Sequence, residues 1–320
     1  MPDLIKSIWI DLLIGDKEEF FENDTFLSHG MNMSYAVENN EINFSYKGPR
    51  PGVTKNFRSD GMTELPIHDR TDTPEKVGLD NYSTDQFMLP KVDLFGLPYD
   101  KKASLMEDSR LALLESIAVE GLWAISPAAH IAGQTPIIKA DSANGAATDN
   151  YDLILEADIM NLRIALDKAY PGLKKANWML AVDTDAYWGL VKNSTILAEQ
   201  YKFQMSTGNI LSDTPDLKIF NFTIWCDDRT AWYNHSTEQK IAYNATTPGY
   251  TVGTSWKSAL AYVPNKTFCT AIGTTQMFDK LNDPAKQADF VSFLSRAYVG
   301  PWGETAANLK YVGAIQRRPN

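Results

Sequence analysis

Two acidic pairs are the first residues in this sequence whose types and spacing could do chemistry. Asp183-Thr184-Asp185 follows the apolar run Trp178-Met179-Leu180-Ala181-Val182. At a strand end, an Asp-x-Asp pair can hold a divalent cation through hard carboxylate oxygens. An aspartate in that position is more ordinarily a helix cap, and capping is the reading adopted. Asp227-Asp228 follows Trp225-Cys226. Adjacent residues of an extended chain point to opposite faces, a poor geometry for two carboxylates that must share one proton, so this pair reads as a turn. The other reactive types are dispersed. His29, His68, His130 and His235 lie far apart, and none is four residues from another histidine or a cysteine; zinc-finger and metalloprotease spacings are absent. Cys226 and Cys269 sit in apolar, strand-like contexts, as small buried hydrophobes do. Gly48-Pro49-Arg50-Pro51-Gly52 and Gly249-Tyr250-Thr251-Val252-Gly253 lack the Gly-Lys-Ser/Thr ending of a phosphate loop. Neither a Gly-x-Ser-x-Gly elbow nor a Gly-x-Gly-x-x-Gly fingerprint occurs. These residues imply no cofactor and no metal.

The 320 residues carry a formal net charge of −10 and a hydrophobic content of 44%, enough for one large or two ordinary domains. Sequence-independent nucleic-acid binding needs a clustered basic face that releases counterions. The densest basic stretch, Lys47 to Arg70, is interrupted by Asp60, Glu64 and Asp69 and reads as a solvated loop. Trp178, Tyr187, Trp188, Trp225, Trp232, Tyr233, Trp256 and Trp302 therefore lack the basic groove that accompanies base stacking. Core and interface burial is their expected role. The start Met1-Pro2-Asp3-Leu4 is unlike a secretory leader, and no apolar stretch approaches the roughly 20 residues that span a bilayer.

The elements that must position these residues change character along the chain. Residues 1–32 join apolar patches (Ile5, Ile8, Trp9, Ile10, Leu12, Leu13, Ile14) to an acidic run from Asp16 to Asp24 containing Phe20 and Phe21. Such a segment is too short to fold without something to lie on, and reads as an arm. Residues 33–80 alternate β-prone runs such as Ile42-Asn43-Phe44-Ser45-Tyr46 with turn signals at Gly48 to Gly52, Asp60-Gly61 and Asp72-Thr73-Pro74. This predicts a long hairpin with too little apolar content for its own core, either disordered or buried on another chain.

Leu105, Leu111, Leu114, Ala118, Leu122 and Ile125 follow a helical period between Pro98 and Pro127, predicting a helix over 101–125 with one buried stripe. A second helix is expected from about Asp149 to Ala169, capped by Thr148 or Asp149 and stopped by Pro171-Gly172. Ile154, Ala157, Asn161, Ile164 and Lys168 would share one side of it. Trp178–Val182 reads as a buried strand followed by a short helix through Leu190. Residues 194–256 are strand-rich, with a half-exposed strand from Leu217 to Trp225; further strands are expected at Ser258–Val263, Thr267–Thr274 and Leu309–Gln316. The class is α+β.

This order of segments resembles the Hong Kong 97-like major capsid proteins of tailed bacteriophages. Leu79-Asp80-Asn81-Tyr82-Ser83-Thr84 through Leu97-Pro98-Tyr99-Asp100-Lys101-Lys102 is similar to the run joining extended loop to spine helix in a subgroup of that family. Trp178–Val182 with Tyr187 and Leu190 looks like the segment leading into the axial domain. Phe220 to Trp225 and Ala259 to Val263 are similar to the axial strands and the return from them, and Tyr311 to Ile315 fits the closing strand. The resemblance covers nearly the whole chain in pattern and order, without a single diagnostic motif.

What the resemblance implies is a Hong Kong 97-like α+β fold: an N-terminal arm (1–32), an extended loop (33–80), a peripheral domain (81–193) with its spine helix at 101–125, an axial domain (194–256), and a return to the peripheral domain (257–320). It implies a subunit that catalyses nothing and self-assembles into the icosahedral shell around a phage double-stranded DNA genome. Its partners would be itself, as hexamers and pentamers, a portal, and separate scaffolding or decoration proteins where these exist. DNA would be enclosed without sequence-specific binding, and no membrane is involved; the chain would be made in the bacterial host cytoplasm and reside in the virion capsid. Arg50, Lys55, Arg58 and Arg70 become candidates for salt bridges to an acidic neighbouring subunit, against the alternative of a merely solvated loop. Two other classes stay open: a tail or decoration component, and a soluble enzyme holding a divalent metal through Asp183 and Asp185.

Overall fold

The computed structural model describes residues 3–46, 73–90, 101–131, 133–140, 154–206, 216–234, 237–242, 255–283, 286–302 and 309–317. Helix α1 (Asp3–Asn23) is followed by β1 (Met31–Asn32), β2 (Val37–Glu38), β3 (Glu41–Tyr46), β4 (Thr73–Gly78), β5 (Asp80–Ser83) and β6 (Phe87–Pro90). The long helix α2 (Lys101–Ile125) leads to β7 (Ile137–Lys139), α3 (Glu156–Ala169), β8 (Trp178–Val182), α4 (Thr184–Asn193) and α5 (Thr195–Ser206). The remaining strands are β9 (Leu217–Ile219), β10 (Phe222–Cys226), β11 (Trp232–Asn234), β12 (Gln239–Lys240), β13 (Ser255–Tyr262), β14 (Cys269–Asp283), β15 (Ala288–Gly300) and β16 (Val312–Arg317).

Among the described residues the strands form three sheets. Sheet one runs β1-β14-β15-β5, with β6 also on β15; sheet two runs β12-β11-β13-β8-β10-β9, with β16 on β13 and β7 on β16. The third is β2-β3-β4. Sheet two divides two cores, and the pleat of its strands explains how. Along β8, Trp178, Leu180 and Val182 enter one core while Met179 and Ala181 enter the other. Along β13, Ala259 and Ala261 go one way, Leu260 and Tyr262 the other. A strand buried on both faces has to be apolar throughout. Ile159, Leu162 and Leu166 of α3 and Tyr187 and Leu190 of α4 cover one side. On the other side Leu113, Ile117, Leu122 and Ile125 of α2 lie between sheet two and Phe293, Ala297 and Val299 of β15. The approach of α2 to β15 requires Gly121, where a Cβ would collide with Val299.

Several expectations need correction. On α2, Leu111 is 53% exposed; the buried rows are Leu113/Leu114, Ile117/Ala118 and Gly121/Leu122, because a helix between two layers buries more than one stripe. Helix α3 starts at Glu156 rather than Asp149, and Thr148 and Asp149 lie outside the described residues. Its first turn is held by Asp158, whose carboxylate accepts from the Leu155 N–H at 3.0 Å. Ile164 is 45% exposed and the buried face is Ile159, Leu162, Arg163 and Leu166. Two apolar rows competed here, and the one with the larger side chains took the core. The single strand expected over Leu217–Trp225 is a tight hairpin, turned by Phe220 and Asn221 at φ 48° and 65°. Its period-2 pattern continues through the turn and conceals it. Residues 194–206 are largely helical, and β15 was not foreseen. Sheet two also recruits β8, β13 and β16, so it crosses the boundaries drawn at 193/194 and 256/257.

The hairpin of residues 33–80 is antiparallel at its root, Glu41–Tyr46 against Thr73–Gly78. Residues 47–72 lie outside the described residues. Ile42, Phe44 and Val77 are buried with Met33, Leu79 and with Cys269, Ala271 and Tyr298 of sheet one. The root therefore has no core of its own, as expected, but it is buried on the body of the same chain rather than disordered or buried on another chain. Helix α1 lies on the body too, burying Leu13 and Phe21.

Candidate functional site

The candidate contact residues Arg50, Lys55, Arg58 and Arg70 lie outside the described residues. The acidic pairs do not, and the structure separates their roles. Strands β8 and β10 are parallel, and β16 shares their direction because both it and β8 are antiparallel to β13. The carboxyl ends of β8, β10 and β16 thus meet at one edge, where α/β sheets commonly bind ligands. Here the place is filled by an arginine.

Asp183 stands at the N-cap of α4, but its carboxylate makes no cap hydrogen bond. It turns instead to Arg317, fully buried at the end of β16. The guanidinium Nε donates to Asp183 Oδ1 at 2.8 Å, Nη2 donates to Oδ2, and Nη2 is also 3.3 Å from Asp185 Oδ2. The cap is supplied across the sheet end by Asp228, which accepts from the Thr184 N–H at 2.8 Å and the Thr184 hydroxyl at 2.7 Å. Burial alone would raise the Asp228 carboxyl; the two Thr184 donors, with Lys257 and Arg317 nearby, more than offset it and hold it below the usual carboxylate range. Lys257 and Arg317 are cross-strand neighbours, a like-charge pair that destabilises unless carboxylates intervene. Lys257 Nζ lies 4.0 Å from Asp183 and 3.8 Å from Asp228. A bidentate guanidinium on buried carboxylate oxygens makes this a structural clamp. The oxygens of Asp183 that a divalent cation would need are already engaged by it.

Asp227 points away from Asp228, as the geometry of adjacent residues requires. Arg229 donates Nε to Asp227 at 2.9 Å and Nη2 at 2.7 Å, and reaches Asp24 with Nη1 at 2.8 Å. Asp24 Oδ1 also accepts from the Phe26 and Leu27 N–H groups, each at 3.0 Å. One arginine therefore ties the end of the arm to the loop after β10.

The dispersed residue types have local roles. His29 Nδ1 lies 2.8 Å from the Tyr262 hydroxyl, and burial lowers the imidazole pKa against a weaker upward pull from Asp24. His130 Nδ1 accepts from the Ile137 N–H at 3.0 Å; His68 and His235 lie outside the described residues. Burial raises the thiols of Cys226 and Cys269, the latter to about 12, which suppresses thiolate chemistry. Among the described residues no group of three or more His, Cys, Asp or Glu is placed to hold a metal ion, and no helix is long and apolar enough to cross a membrane.

A buried and a half-buried lysine escaped sequence reasoning. Lys17 sits one turn from both Leu13 and Phe21 on the buried face of α1. Its ammonium donates to Gly273 O at 2.9 Å and to the Thr275 and Ser295 hydroxyls at 3.1 Å each. A β-bulge between Ile272 and Thr275 interrupts the β14–β15 register at this point. Burial pushes the Lys17 pKa down to about 8, against a smaller upward effect of Glu18. Lys240 donates to the Trp123 and Ser126 carbonyls at 2.8 and 3.0 Å, capping the end of α2, and lies 4.0 Å from the Trp123 ring centroid. Burial lowers it to about 8 as well. A lysine on the apolar stripe of an amphipathic segment was the available signal for Lys17; for Lys240 none existed. Large apolar groups also remain at the surface, including Tyr35 (82% exposed), Phe203 (69%), Ile196 and Phe278.

No protein-family model matches the chain, and no curated protein matches it in sequence. Solved structures do match it in fold. The capsid of Ralstonia phage GP4 aligns with a TM-score of 0.60 at 10% identity, over 91% of this chain and 87% of that one. The capsid of the cyanophage P-SCSP1u aligns at 0.56 and 16% identity, over 91% and 87%. The capsid of an empty GTA particle, computed with C5 symmetry, aligns at 0.53 and 10% identity, over 91% and 88%. The chain has the α+β fold of phage capsid subunits, the Hong Kong 97-like architecture that its order of segments led us to expect.

Proposed function

We propose that the chain is the major capsid protein of a tailed bacteriophage and builds an icosahedral shell without catalysing a reaction. The observation that carries this is the fold likeness to phage capsids over 91% of the chain. The engagement of Asp183 and Asp185 by buried Arg317 argues against the metal-enzyme alternative. Exposed Tyr35, Ile196, Phe203 and Phe278 fit a surface that other subunits cover.

On this reading the subunit groups into pentamers and hexamers through closing, heterologous contacts. Sheet two with α3, α4 and α5 serves as the axial unit, somewhat larger than residues 194–256. Sheet one with α2, the spine helix, serves as the peripheral unit. The distal part of the 33–80 hairpin lies over a neighbouring subunit, where Arg50, Lys55, Arg58 and Arg70 meet acidic groups. Obligate contacts of this kind bury on the order of 2,000 Å² or more, enough to offset the ordering of arm and loop. The shell encloses DNA, and the net charge of −10 keeps its lining from adhering to it. Portal, scaffolding and decoration proteins are the remaining partners.

Sedimentation velocity of the wild-type chain and a chain lacking residues 50–70 tests the assignment. The wild type should sediment as pentamers, hexamers or shells. The deletion should remain unassembled while the amides of α2 keep their protection from hydrogen exchange. Wild-type-like assembly of the deletion would remove the role given to the loop.

A further inference from the structure

Residues 17–29 grip both large sheets with polar groups. At one end, Lys17 donates to Gly273 and Thr275 of β14 and to Ser295 of β15, all in sheet one. At the other, Asp24 is bound by Arg229 at 2.8 Å, and Arg229 is bound in turn by Asp227 in the loop that follows β10 of sheet two. Between and beyond these grips the segment wedges into the junction. Phe26 stacks on Phe268 at 4.7 Å and meets Tyr262 of β13 edge-on at 6.1 Å. The Asn265 N–H donates to His29 O at 2.8 Å, and His29 Nδ1 meets the Tyr262 hydroxyl.

We propose that this segment is a strap that sets the mutual position of sheets one and two, and that its Lys17 end can release while both sheets stay folded. The two grips are unequal. Arg229 is held by two carboxylates with good geometry, an arrangement that is strong because removing one partner strands a buried charge. Lys17 brings an ammonium into a buried site whose acceptors are carbonyls and hydroxyls. Its desolvation is met by hydrogen bonds and by the weaker pull of Glu18, and no carboxylate among the described residues forms an ion pair with it, so it supplies register more than strength. A methionine of similar length could fill the same space without that penalty. The weak grip lies on the helix and the firm grip at the turn after it, so release peels α1 back toward Asp24. Sheet one survives because the β14–β15 ladder, from Cys269↔Gly300 to Asp283↔Ala288, is closed without α1. The inference concerns contacts within one chain and does not depend on the shell assignment.

Hydrogen exchange on the full chain, kept below the concentration at which it associates, tests the first half. Lys17→Glu should speed exchange across residues 10–23 at least tenfold while β8, β10, β14 and β15 keep wild-type protection. Lys17→Met should leave residues 10–23 as slow as wild type or slower. Unchanged exchange in Lys17→Glu, or equal acceleration in β14 and β15, overturns the releasable grip. Should Lys17→Glu not fold, Lys17→Gln is read in the same way. Spin labels at exposed Gln276 on β14 and Lys192 on α4, in a Cys226→Ser background with Cys269 fully buried, test the second half. Their distance distribution should broaden when the grip is lost. A distribution identical to that of the parent, in a variant whose α1 exchanges fast, overturns the strap's role in setting the sheets.

Discussion

Arg317 and Lys17 are both fully buried cations, and they keep opposite company. Arg317 closes the carboxyl ends of sheet two against two carboxylates, with Asp183 as fully hidden as itself. Lys17 lies under the arm among carbonyl and hydroxyl oxygens. The first arrangement couples one β-strand end to the start of a helix and is costly to break from either side. The second places one segment in register on a bulged hairpin and can be exchanged for an apolar side chain. Rigidity is built in at the edge of sheet two, and less so where the arm meets sheet one.

The largest effect should come from breaking the clamp. Arg317→Ala leaves Asp183 buried without its partner and should cost about 3–5 kcal/mol, read as a lower midpoint in urea. Replacing Arg317 and Asp183 together with apolar residues should recover much of that loss, since the desolvation of both charges goes with them. Equal losses in the single and double variants would show that the pair is not the coupled unit described.

A smaller effect should follow pH. The docked Lys17 titrates near 8, below the ordinary lysine range, so between pH 8 and about 10 the unfolded chain binds more protons than the folded one. Stability from this group is fully present above the unfolded pKa and is lost as pH falls toward 8. The contribution is about 1.4 kcal/mol per pH unit at most. Lys240, also lowered to about 8, adds in the same sense. The wild type should gain stability relative to Lys17→Met as pH rises from 8 to 10, measured by urea unfolding at each pH. A constant difference would contradict a docked Lys17 whose ammonium is desolvated.

The smallest effect is that substitution itself. At pH 7, Lys17→Met should stay within about 1 kcal/mol of wild type or be stabilising, in contrast to Arg317→Ala. A loss as large as that of Arg317→Ala would erase the distinction between the two sites.

What could be read in advance follows from how local each signal is. The apolar run Trp178–Val182 announced a strand buried on both faces, and Pro98 and Pro127 bracketed α2. The phase of α3 was misjudged because two apolar rows compete on one helix, and packing rather than period decided between them. For neither buried cation were the partners legible. Arg317 finds Asp183 across the sheet end, and the acceptors of Lys17 come from β14 and β15; such pairings depend on topology, which periodicity does not carry. Asp183 was rightly placed at a helix start, yet its carboxylate serves Arg317 and Asp228 does the capping. The exchange of roles between the two aspartates became visible once β8 and β10 were seen to be parallel.

Negative-stain electron microscopy of the purified 320-residue protein decides whether the chain builds a shell, as proposed. Closed shells, or rings of five and six subunits, are the expected result. A monodisperse field of compact single subunits, unchanged at high concentration, would contradict it.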